Sequence, residues 1–378
     1  MRQVASLEVH RAGVSALIAL VVLTGDAAAR PGEPAAPAAG RVIAGLEEPL
    51  VSTRPTSTEE DRSLDLAIAA FRIAAARTSS DGPIHLVLLA RFVEGHPSSG
   101  WNAAVLANLG ISYYRGGYFA RALDCWQAAW AAGRDATDPR ARALVDRTLG
   151  ELAGLHARLG HVDELEKLFE DVGGRALGEP AAKAMAAARD AATTMRHDPG
   201  LAYRGGPNAL KALLLARRAA SDSVAFLDKE RSVRRGFSLL QLAGLADRAG
   251  LRYRLIHREP GQAVPVPSVI HWNVNHFATI VAVRDGGYLV KDSTPGAGTD
   301  ELWVRQAAID SEASGFFLVP EDVSQDPRWR EATAAEASRI YAAATPRRAT
   351  ASRTAPVRLL KASSNIDLIR TGSQVRSM

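Results

Sequence analysis

The chain has 378 residues, of which 47% are hydrophobic and 23% charged, and a formal net charge of +5 at pH 7. That length leaves room for two domains, and the composition is ordinary for a globular protein. A single cysteine excludes an internal disulfide. Much of the positive excess lies in residues 346–378, with seven Arg/Lys against one acid. No RNA-binding signature accompanies it, so no nucleic-acid partner is expected.

The amino terminus has the pattern of a secretory signal. Arg2 and Arg11 precede an apolar run over residues 12–23, and residues 27–29 are alanines that offer a small-residue cleavage site. The run is shorter than the ~20 apolar residues that a membrane-spanning helix needs. The sequence therefore predicts a signal peptide over residues 1–29 and an exported protein, with no membrane contact except through this signal. An uncleaved anchor and a wrongly assigned start are the alternatives.

Residues 30–60, rich in Pro, Ala, Thr and Glu, are predicted to form a disordered linker. An Ala-rich helical domain is predicted over residues 61–192. Within it, apolar and small residues recur at the spacings of a tetratricopeptide repeat, with a weaker copy 43 residues later. The first copy comprises Leu106, Leu109, Gly110, Tyr113, Ala122, Trp126 and Ala129, and the second Leu152, Ala153, His156, Leu165 and Phe169. A generic helical bundle is the alternative.

Glycines mark the turns of these repeats. Gly116 and Gly117 separate the first pair of helices, and residues 159–161 separate the second. Helices predicted over residues 63–75 and 83–93 supply a third pair, because repeats of this kind bury their apolar faces only by stacking. Such a region serves as an interaction scaffold. Its cysteine, Cys125, is interpreted as an inert, largely buried core residue.

The segment 197–320 changes from helices to strands. Helices are predicted over residues 206–217 and 237–246, the second with Ser238 as its N-cap. Strands are predicted over residues 253–256, 267–272, 277–283, 287–292 and 315–320. Asp285, Gly286 and Gly287 predict a hairpin turn. Helices first and an antiparallel sheet afterwards indicate the α+β class.

Three short motifs in this segment carry a family resemblance. Residues 203–210 read Tyr-Arg-Gly-Gly-Pro-Asn-Ala-Leu, residues 271–277 His-Trp-Asn-Val-Asn-His-Phe, and residues 290–293 Val-Lys-Asp-Ser. Together they resemble the papain-like cysteine peptidases that form the leader-cleaving domain of bacteriocin exporters. That family has Cys-Gly-Pro-x-Ala-Leu, His-Trp…Asn-His-Phe and Val-x-Asp-Pro/Ser at these places. The resemblance implies a papain-like α+β domain over residues 197–320, preceded by the all-α repeat domain.

The resemblance also assigns the site residues. His276 and Asp292 occupy the histidine and aspartate positions, and Gly205 occupies the position of the nucleophilic cysteine. The cleft that binds an extended peptide in the family would be lined here by Gly205, Gly206 and Trp272. Glycine supplies no thiolate. The Gln that precedes the cysteine in the family and donates to the oxyanion is also missing from residues 196–202.

These departures predict a non-catalytic protein, and the resemblance implies that it binds an extended peptide or a protein partner through the cleft and the helical repeats. Two alternatives remain open: a cysteine peptidase that uses an unusual nucleophile or carries a local sequence error, and a structural amino-terminal remnant of a larger surface protein. No cofactor is expected. His271 and His276 are predicted on opposite faces of the sheet without a third ligand, so no metal site is expected. Residues 321–378 predict a helix over 331–344 followed by a basic disordered tail.

Overall fold

Helices occupy the first part of the described chain, and strands follow them. The structure is a computed structural model that describes residues 40–77, 86–294 and 298–342. The predicted signal peptide and the predicted basic tail beyond residue 342 lie outside these residues. The helices up to residue 197 are α1 (Thr58–Arg77), α2 (Val87–Gly95), α3 (Asn102–Arg115), α4 (Phe119–Gly133), α5 (Pro139–Leu159), α6 (Val162–Val172) and α7 (Glu179–His197). None of the described helices is both long enough and apolar enough to cross a membrane.

The predicted disordered linker over residues 30–60 is wrong for its described part. Leu50 is fully buried and Val51 nearly so, and residues 41 and 50 pair in an isolated β-bridge. The backbone N–H of Thr53 donates to the carbonyl of Gly100, and α1 already begins at Thr58. A few apolar side chains therefore anchor a segment whose Pro, Thr and Glu content suggested disorder.

The pair α3 and α4 packs closely because its contact includes a glycine. A Cβ on Gly110 would overlap Nε1 of Trp126, so the indole lies directly on the backbone of α3. The indole N–H donates to the carbonyl of Ala107 at 3.3 Å. Gly117, with φ +81°, takes the left-handed conformation in the turn between the helices. The predicted roles of Gly110 and Trp126 agree with this packing, whereas the assignment to tetratricopeptide repeats stays a prediction.

The next pair, α5 and α6, has well-defined end signals. Asp138 caps α5 by accepting from the backbone N–H groups of Arg140 and Ala141, and Pro139 takes the first helical position. Gly160 ends the helix in the left-handed conformation, φ 73°. The turn predicted at residues 159–161 is therefore present. Earlier in the chain, α1 and α2 lie where the third pair was predicted, although residues 83–85 of that prediction are not described.

The segment after α7 contains short helices and then one sheet. The helices are α8 (Pro199–Ala202), α9 (Gly205–Ala216), α10 (Ser221–Val224), a 3-10 turn (Ala225–Lys229) and α11 (Leu239–Arg248). The strands are β1 (Tyr253–His257), β2 (Ser268–Trp272), β3 (His276–Arg284), β4 (Gly287–Thr294), β5 (Gly298–Arg305), β6 (Ala313–Pro320) and β7 (Arg330–Glu331), with α12 (Gln306–Glu312) before β6. They form a seven-stranded antiparallel sheet in the order β5-β4-β3-β2-β6-β1-β7. The fold class is therefore α+β.

Local signals in this segment behave as the sequence predicts. Ser238 caps α11 and forms a capping box with Gln241. Asp285 and Gly286 both have positive φ, 52° and 71°, which is the turn geometry that joins two antiparallel strands most tightly. Helix α9 lies against β3, where the hydroxyl of Thr279 donates to the carbonyl of Ala209 at 2.6 Å.

Several described elements differ from the sequence prediction. Strand β5 and helix α12 were not predicted. The helix predicted over residues 331–344 is wrong for its described part, which ends at residue 342. Strand β7 ends at Glu331, a helix α13 spans only Ala334–Ala337, and Tyr341 pairs with Ser238 in a β-bridge. The Ala-rich composition favours a helix there, but backbone pairing with residues 237–239 overrides that preference.

The apolar core continues from the helices into the sheet. Phe119 of α4 packs edge-to-face on Trp272 of β2, with ring centroids 5.3 Å apart. Gly117 approaches Val304 of β5 so closely that a Cβ at residue 117 would have no room. The buried carboxylate of Glu312 accepts from the backbone N–H of Ala120. The change of secondary structure near residue 197 is therefore not a break in the hydrophobic core.

Candidate functional site

His276 and Asp292 meet at one end of two paired strands. His276 is the first residue of β3, directly after a tight turn in which Asn275 has φ 57°, and Asp292 lies near the end of β4. The β3–β4 register places them on the same face, and Nε2 of His276 donates to Oδ1 of Asp292 at 2.7 Å. Only 6% of His276 is exposed. The predicted contact between these two residues is therefore present.

Gly205 stands on the other side of the same imidazole. It is the first residue of α9, whose N-cap Arg204 provides no side-chain capping bond. A Cβ built on Gly205 would lie 3.5 Å from Cε1 and 3.8 Å from Nδ1 of His276, at ordinary contact distance. A side chain at residue 205 would therefore lie beside the edge of the ring that carries Cε1 and Nδ1, and Nδ1 is the ring nitrogen that does not bond to Asp292. This is the relative placement that a nucleophile, a base and an orienting carboxylate require.

Gly206 and Trp272 have structural roles instead of lining a cleft. Gly206 is buried, and a Cβ there would lie 2.5 Å from a methyl carbon of Leu242, so its small size lets α9 and α11 approach. Trp272 is 1% exposed and packs on Phe119. The prediction that these two residues contact a bound peptide is corrected, because neither offers accessible surface as the protein is folded.

Residues of the helical part border the site, which the sequence did not predict. Arg158 of α5 donates to the hydroxyl of Tyr114 of α3. Burial raises the pKa of Tyr114, Arg158 opposes this effect, and the nearby negative charge of Asp292 adds to it. Nε2 of His161 donates to the carbonyl of Val274 at 3.2 Å, two residues before His276. No local pattern identifies these residues, because the contacts join parts of the chain far apart in sequence.

Cys125 is not a candidate nucleophile. It lies within α4, fully buried, and burial raises the pKa of its thiol well above the usual range. A thiol in that state is almost wholly protonated at neutral pH and has little reactivity. Within the described ranges, no group of His, Cys, Asp and Glu side chains could hold a metal ion.

His271 lies on the opposite face of the sheet from His276 and has a structural role. It is paired with Phe277, whereas His276 is paired with Trp272. The hydroxyl of Ser314 donates to Nδ1 of His271 at 2.9 Å, and Nε2 donates to the carbonyl of Tyr341 at 2.9 Å. Burial lowers the pKa of His271 to about 4, the bond to Tyr341 opposes this, and His276 adds to it. The folded protein therefore holds a neutral imidazole at this position.

Acidification is expected to destabilise the fold through His271. Its pKa is lowered from about 6.5 to about 4 on folding, so the unfolded chain binds the proton more readily. The contribution of the neutral His271 to the free energy of unfolding is complete above pH ~6.5 and is lost as the pH falls towards 4. The upper limit of this loss is on the order of 3 kcal/mol. Urea unfolding at pH ~7 and pH ~5 measures the change in unfolding free energy.

The variant His271→Gln separates this contribution from that of other groups. Burial also lowers the pKa of His156, to about 3, so the wild-type protein has a second source of acid sensitivity. Gln cannot titrate, and the loss of stability between the two pH values should be smaller in the variant. An equal loss in both proteins would show that His271 is not held neutral.

Comparisons with known proteins show only a limited similarity to one solved structure. No protein-family model matches the chain, and no curated protein matches it. A solved structure similar to part of the chain is the crystal structure of a double glycine motif protease from an AMS/PCAT transporter in complex with the leader peptide. The similarity covers 30% of this chain and 81% of that chain, with 20% identity and a TM-score of 0.25. That score is too low to establish a common fold, so the site is interpreted from its own geometry.

Proposed function

We propose that the protein is a non-catalytic member of the papain-like group that binds an extended peptide, or an extended segment of a protein partner, beside Gly205. One observation carries this proposal: a hydrogen-bonded His276–Asp292 pair faces the start of a helix at which the residue has no side chain. In this proposal His276 and Asp292 keep the positions of a base and its orienting carboxylate, while residue 205 lacks the group that they would activate. Export by the signal over residues 1–29 is part of the same proposal.

The missing thiol argues against proteolysis. Peptide cleavage by this class requires a thiolate held by an imidazolium, and Gly205 supplies none. Cys125 cannot substitute, because it is buried within α4. No Gln precedes Gly205 within residues 196–202, and losing one oxyanion donor alone costs roughly 10²–10³ in rate. A binding function requires neither group.

Binding is expected to be weak and to depend on backbone contacts. An extended peptide would lie along α9 and the ends of β3 and β4, with small residues nearest Gly205. Ordering a flexible peptide costs free energy, so a dissociation constant on the order of micromolar or poorer is expected. The negative charge of Asp292 influences Tyr114 of α3, which supports a second contact between the partner and the helical part.

The test is a pair of tryptophan variants measured by fluorescence anisotropy against a library of labelled peptides rich in small residues. Gly205→Trp fills the space in front of His276 and is expected to weaken binding by at least about tenfold. Gly154→Trp is the matched control, because a Cβ on Gly154 in α5 meets no atom within 4 Å. It should bind as the parent does.

Two results would contradict the proposal. If Gly205→Trp binds a peptide as tightly as the parent does, the site lies elsewhere, and the helical repeats become the better candidate. If the wild-type protein cleaves peptides and thiol alkylation stops the cleavage, the protein is a peptidase.

A further inference from the structure

We infer that β5 is a dimerisation edge, at which it pairs antiparallel with β5 of a second copy of this chain. The two Trp303 side chains stand opposite each other at the centre of the contact. The edge surface consists of the outer edge of β5 and the side chains of Glu301, Trp303 and Arg305. Two copies joined in this way form one continuous sheet about a twofold axis. The inference goes beyond the proposed peptide binding and does not depend on it.

The first observation is the open edge of the sheet. β5 is the outermost strand on one side, and each of its residues is paired with β4 without a register shift. Among the described residues, no backbone hydrogen bond joins residues 301–304 to an element other than β4. The opposite edge is the two-residue strand β7. A long, regular edge strand presents free N–H and C=O groups, and proteins usually protect such an edge or pair it.

The second observation is an exposed tryptophan on this strand. Side chains alternate between the two faces of a strand, so Val304 is buried against Gly117 while Trp303 points to the other face and is 42% exposed. Arg284 lies over the indole, 4.8 Å from the ring centre, and a Cβ on Gly287 would lie 3.4 Å from its Cε3. The indole is therefore held in one orientation within a single copy. An anchor that is already ordered loses little conformational entropy on binding.

The third observation selects the partner. Glu301 and Arg305 lie two residues before and two residues after Trp303, so the three side chains are on one face. In an antiparallel pair centred on Trp303, Glu301 of each copy stands opposite Arg305 of the other. Opposite charges and aromatic pairs at directly opposed positions both stabilise a sheet. The edge surface is thus self-complementary, and a second β5 supplies every group that it requires.

Both charged side chains are positioned within one copy and can still bond to another. Nζ of Lys291 lies 2.6 Å from Oε1 of Glu301, and half of the Glu301 side chain stays exposed. Nη1 of Arg305 donates to the carbonyl of Asp285 at 2.5 Å. A carboxylate accepts several hydrogen bonds and a guanidinium has five N–H donors. Each group therefore keeps capacity for its opposite across the edge.

The experiment measures self-association of the full-length protein by sedimentation velocity over a concentration series. The wild-type protein should change from monomer to dimer as the concentration rises. Glu301→Arg and Arg305→Glu each turn both symmetric charge pairs from attractive to repulsive, and each should weaken dimerisation by at least about tenfold. The double variant Glu301→Arg/Arg305→Glu restores opposite charges and should dimerise nearly as the wild type does.

Mixing the two single variants gives the most specific readout. One variant has two basic residues on the edge surface and the other has two acidic ones, so the charge pairs are attractive only in a mixed dimer. The mixture should form a dimer at a concentration at which neither variant forms one alone. This result also controls for folding, because an unfolded variant could not restore association.

Trp303→Lys tests the aromatic anchor. It removes the aromatic pair and places two like charges at the centre of the contact, so it should abolish dimerisation at concentrations at which the wild type is dimeric. Val283→Lys is the matched control, because Val283 is 54% exposed on the same sheet but belongs to β3 instead of the edge strand. It should dimerise as the wild type does.

Each contrary outcome overturns the inference in a different way. A wild-type protein that stays monomeric at the highest concentration has no dimerisation edge. If that monomer binds the labelled peptides and Trp303→Lys abolishes the binding, the edge takes an extended peptide instead of a second copy. Dimers that survive Trp303→Lys form through another surface. If the wild type dimerises and the mixture of charge variants does not, the strands do not pair in the register centred on Trp303.

Discussion

Replacing Gly110 by alanine is expected to lower the free energy of unfolding by on the order of 3 kcal/mol. The added methyl group would overlap the indole nitrogen of Trp126 and lie 2.8 Å from its Cε2. Trp126 is 2% exposed and packs at the centre of the α3–α4 contact, so the ring has no free space to move into. Urea unfolding followed by circular dichroism measures the change in free energy.

The direction of this change in the free energy of unfolding is informative, because helix propensity alone predicts that alanine stabilises the helix. Alanine in place of glycine inside a helix stabilises it by roughly 0.5–1 kcal/mol when nothing obstructs the methyl group. Gly154 of α5 offers such a position, since a Cβ there has open space. Gly154→Ala should therefore raise the free energy of unfolding while Gly110→Ala lowers it.

A second substitution tests the contact itself. Trp126→Leu by itself lowers the free energy of unfolding because it removes the buried indole. It also removes the atom that the alanine methyl group at residue 110 would overlap. The double variant should then lose less than the two single variants together, with a coupling in the range of about 0.5–3 kcal/mol that contacting residues show. If Gly110→Ala is neutral or stabilising, α3 and α4 lie farther apart than the structure places them.

Gly110 and Trp126 also show which features the sequence predicts well. Small and large residues at fixed spacing predicted a close helix pair, because the spacing alone brings them together. The N-cap at Ser238 and the turn at Asp285–Gly286 were predictable because the conformation of each depends on at most four consecutive residues. The His276–Asp292 contact was predictable because a tight hairpin sets the register between the two residues.

Features decided by distant residues were missed. Residues 331–344 contain a good helix-forming composition, yet backbone bonds to residues 237–239 hold the end of this segment in a different conformation. Trp272 lies in the motif over residues 271–277, but it packs on Phe119, which is far away in sequence, and little of its side chain is exposed. Tyr114, Arg158 and His161 reach the site from separate helices. Their roles depend on how the helices pack on the sheet, which hydrophobic periodicity does not specify.

Introducing cysteine at Gly205 is expected to create a thiol with a pKa at least about one unit below the unperturbed ~8.5. The sulfur would stand one bond beyond a Cβ that lies 3.8 Å from Nδ1 of His276, at the first residue of α9. The imidazolium and the partial positive charge of the helix start both favour the thiolate. The rate of alkylation by iodoacetamide against pH, followed by mass spectrometry, reports the pKa directly.

Controls for this experiment exist within the same chain. The wild-type protein gives the background, which should be low because burial raises the pKa of the Cys125 thiol. Gly154→Cys places an exposed thiol in α5, away from its first turn, and should titrate near the ordinary value. At pH ~6.5 the thiol at residue 205 should react roughly ten times faster than the one at residue 154, once corrected for exposure by the rates at high pH.

The partners of the new thiol should each contribute. Adding His276→Ala to Gly205→Cys removes the imidazolium and should raise the thiol pKa towards ~8.5, leaving only the effect of the helix start. Adding Asp292→Asn should raise it by a smaller amount, because Asp292 acts through the orientation and charge of His276. Efficient proteolysis is not expected even with the thiol in place, since no Gln precedes residue 205 within residues 196–202.

A thiol at residue 205 that titrates like the one at residue 154 would mean that Nδ1 does not face this position. The interpretation of Gly205 as a vacated nucleophile position would then have to be abandoned.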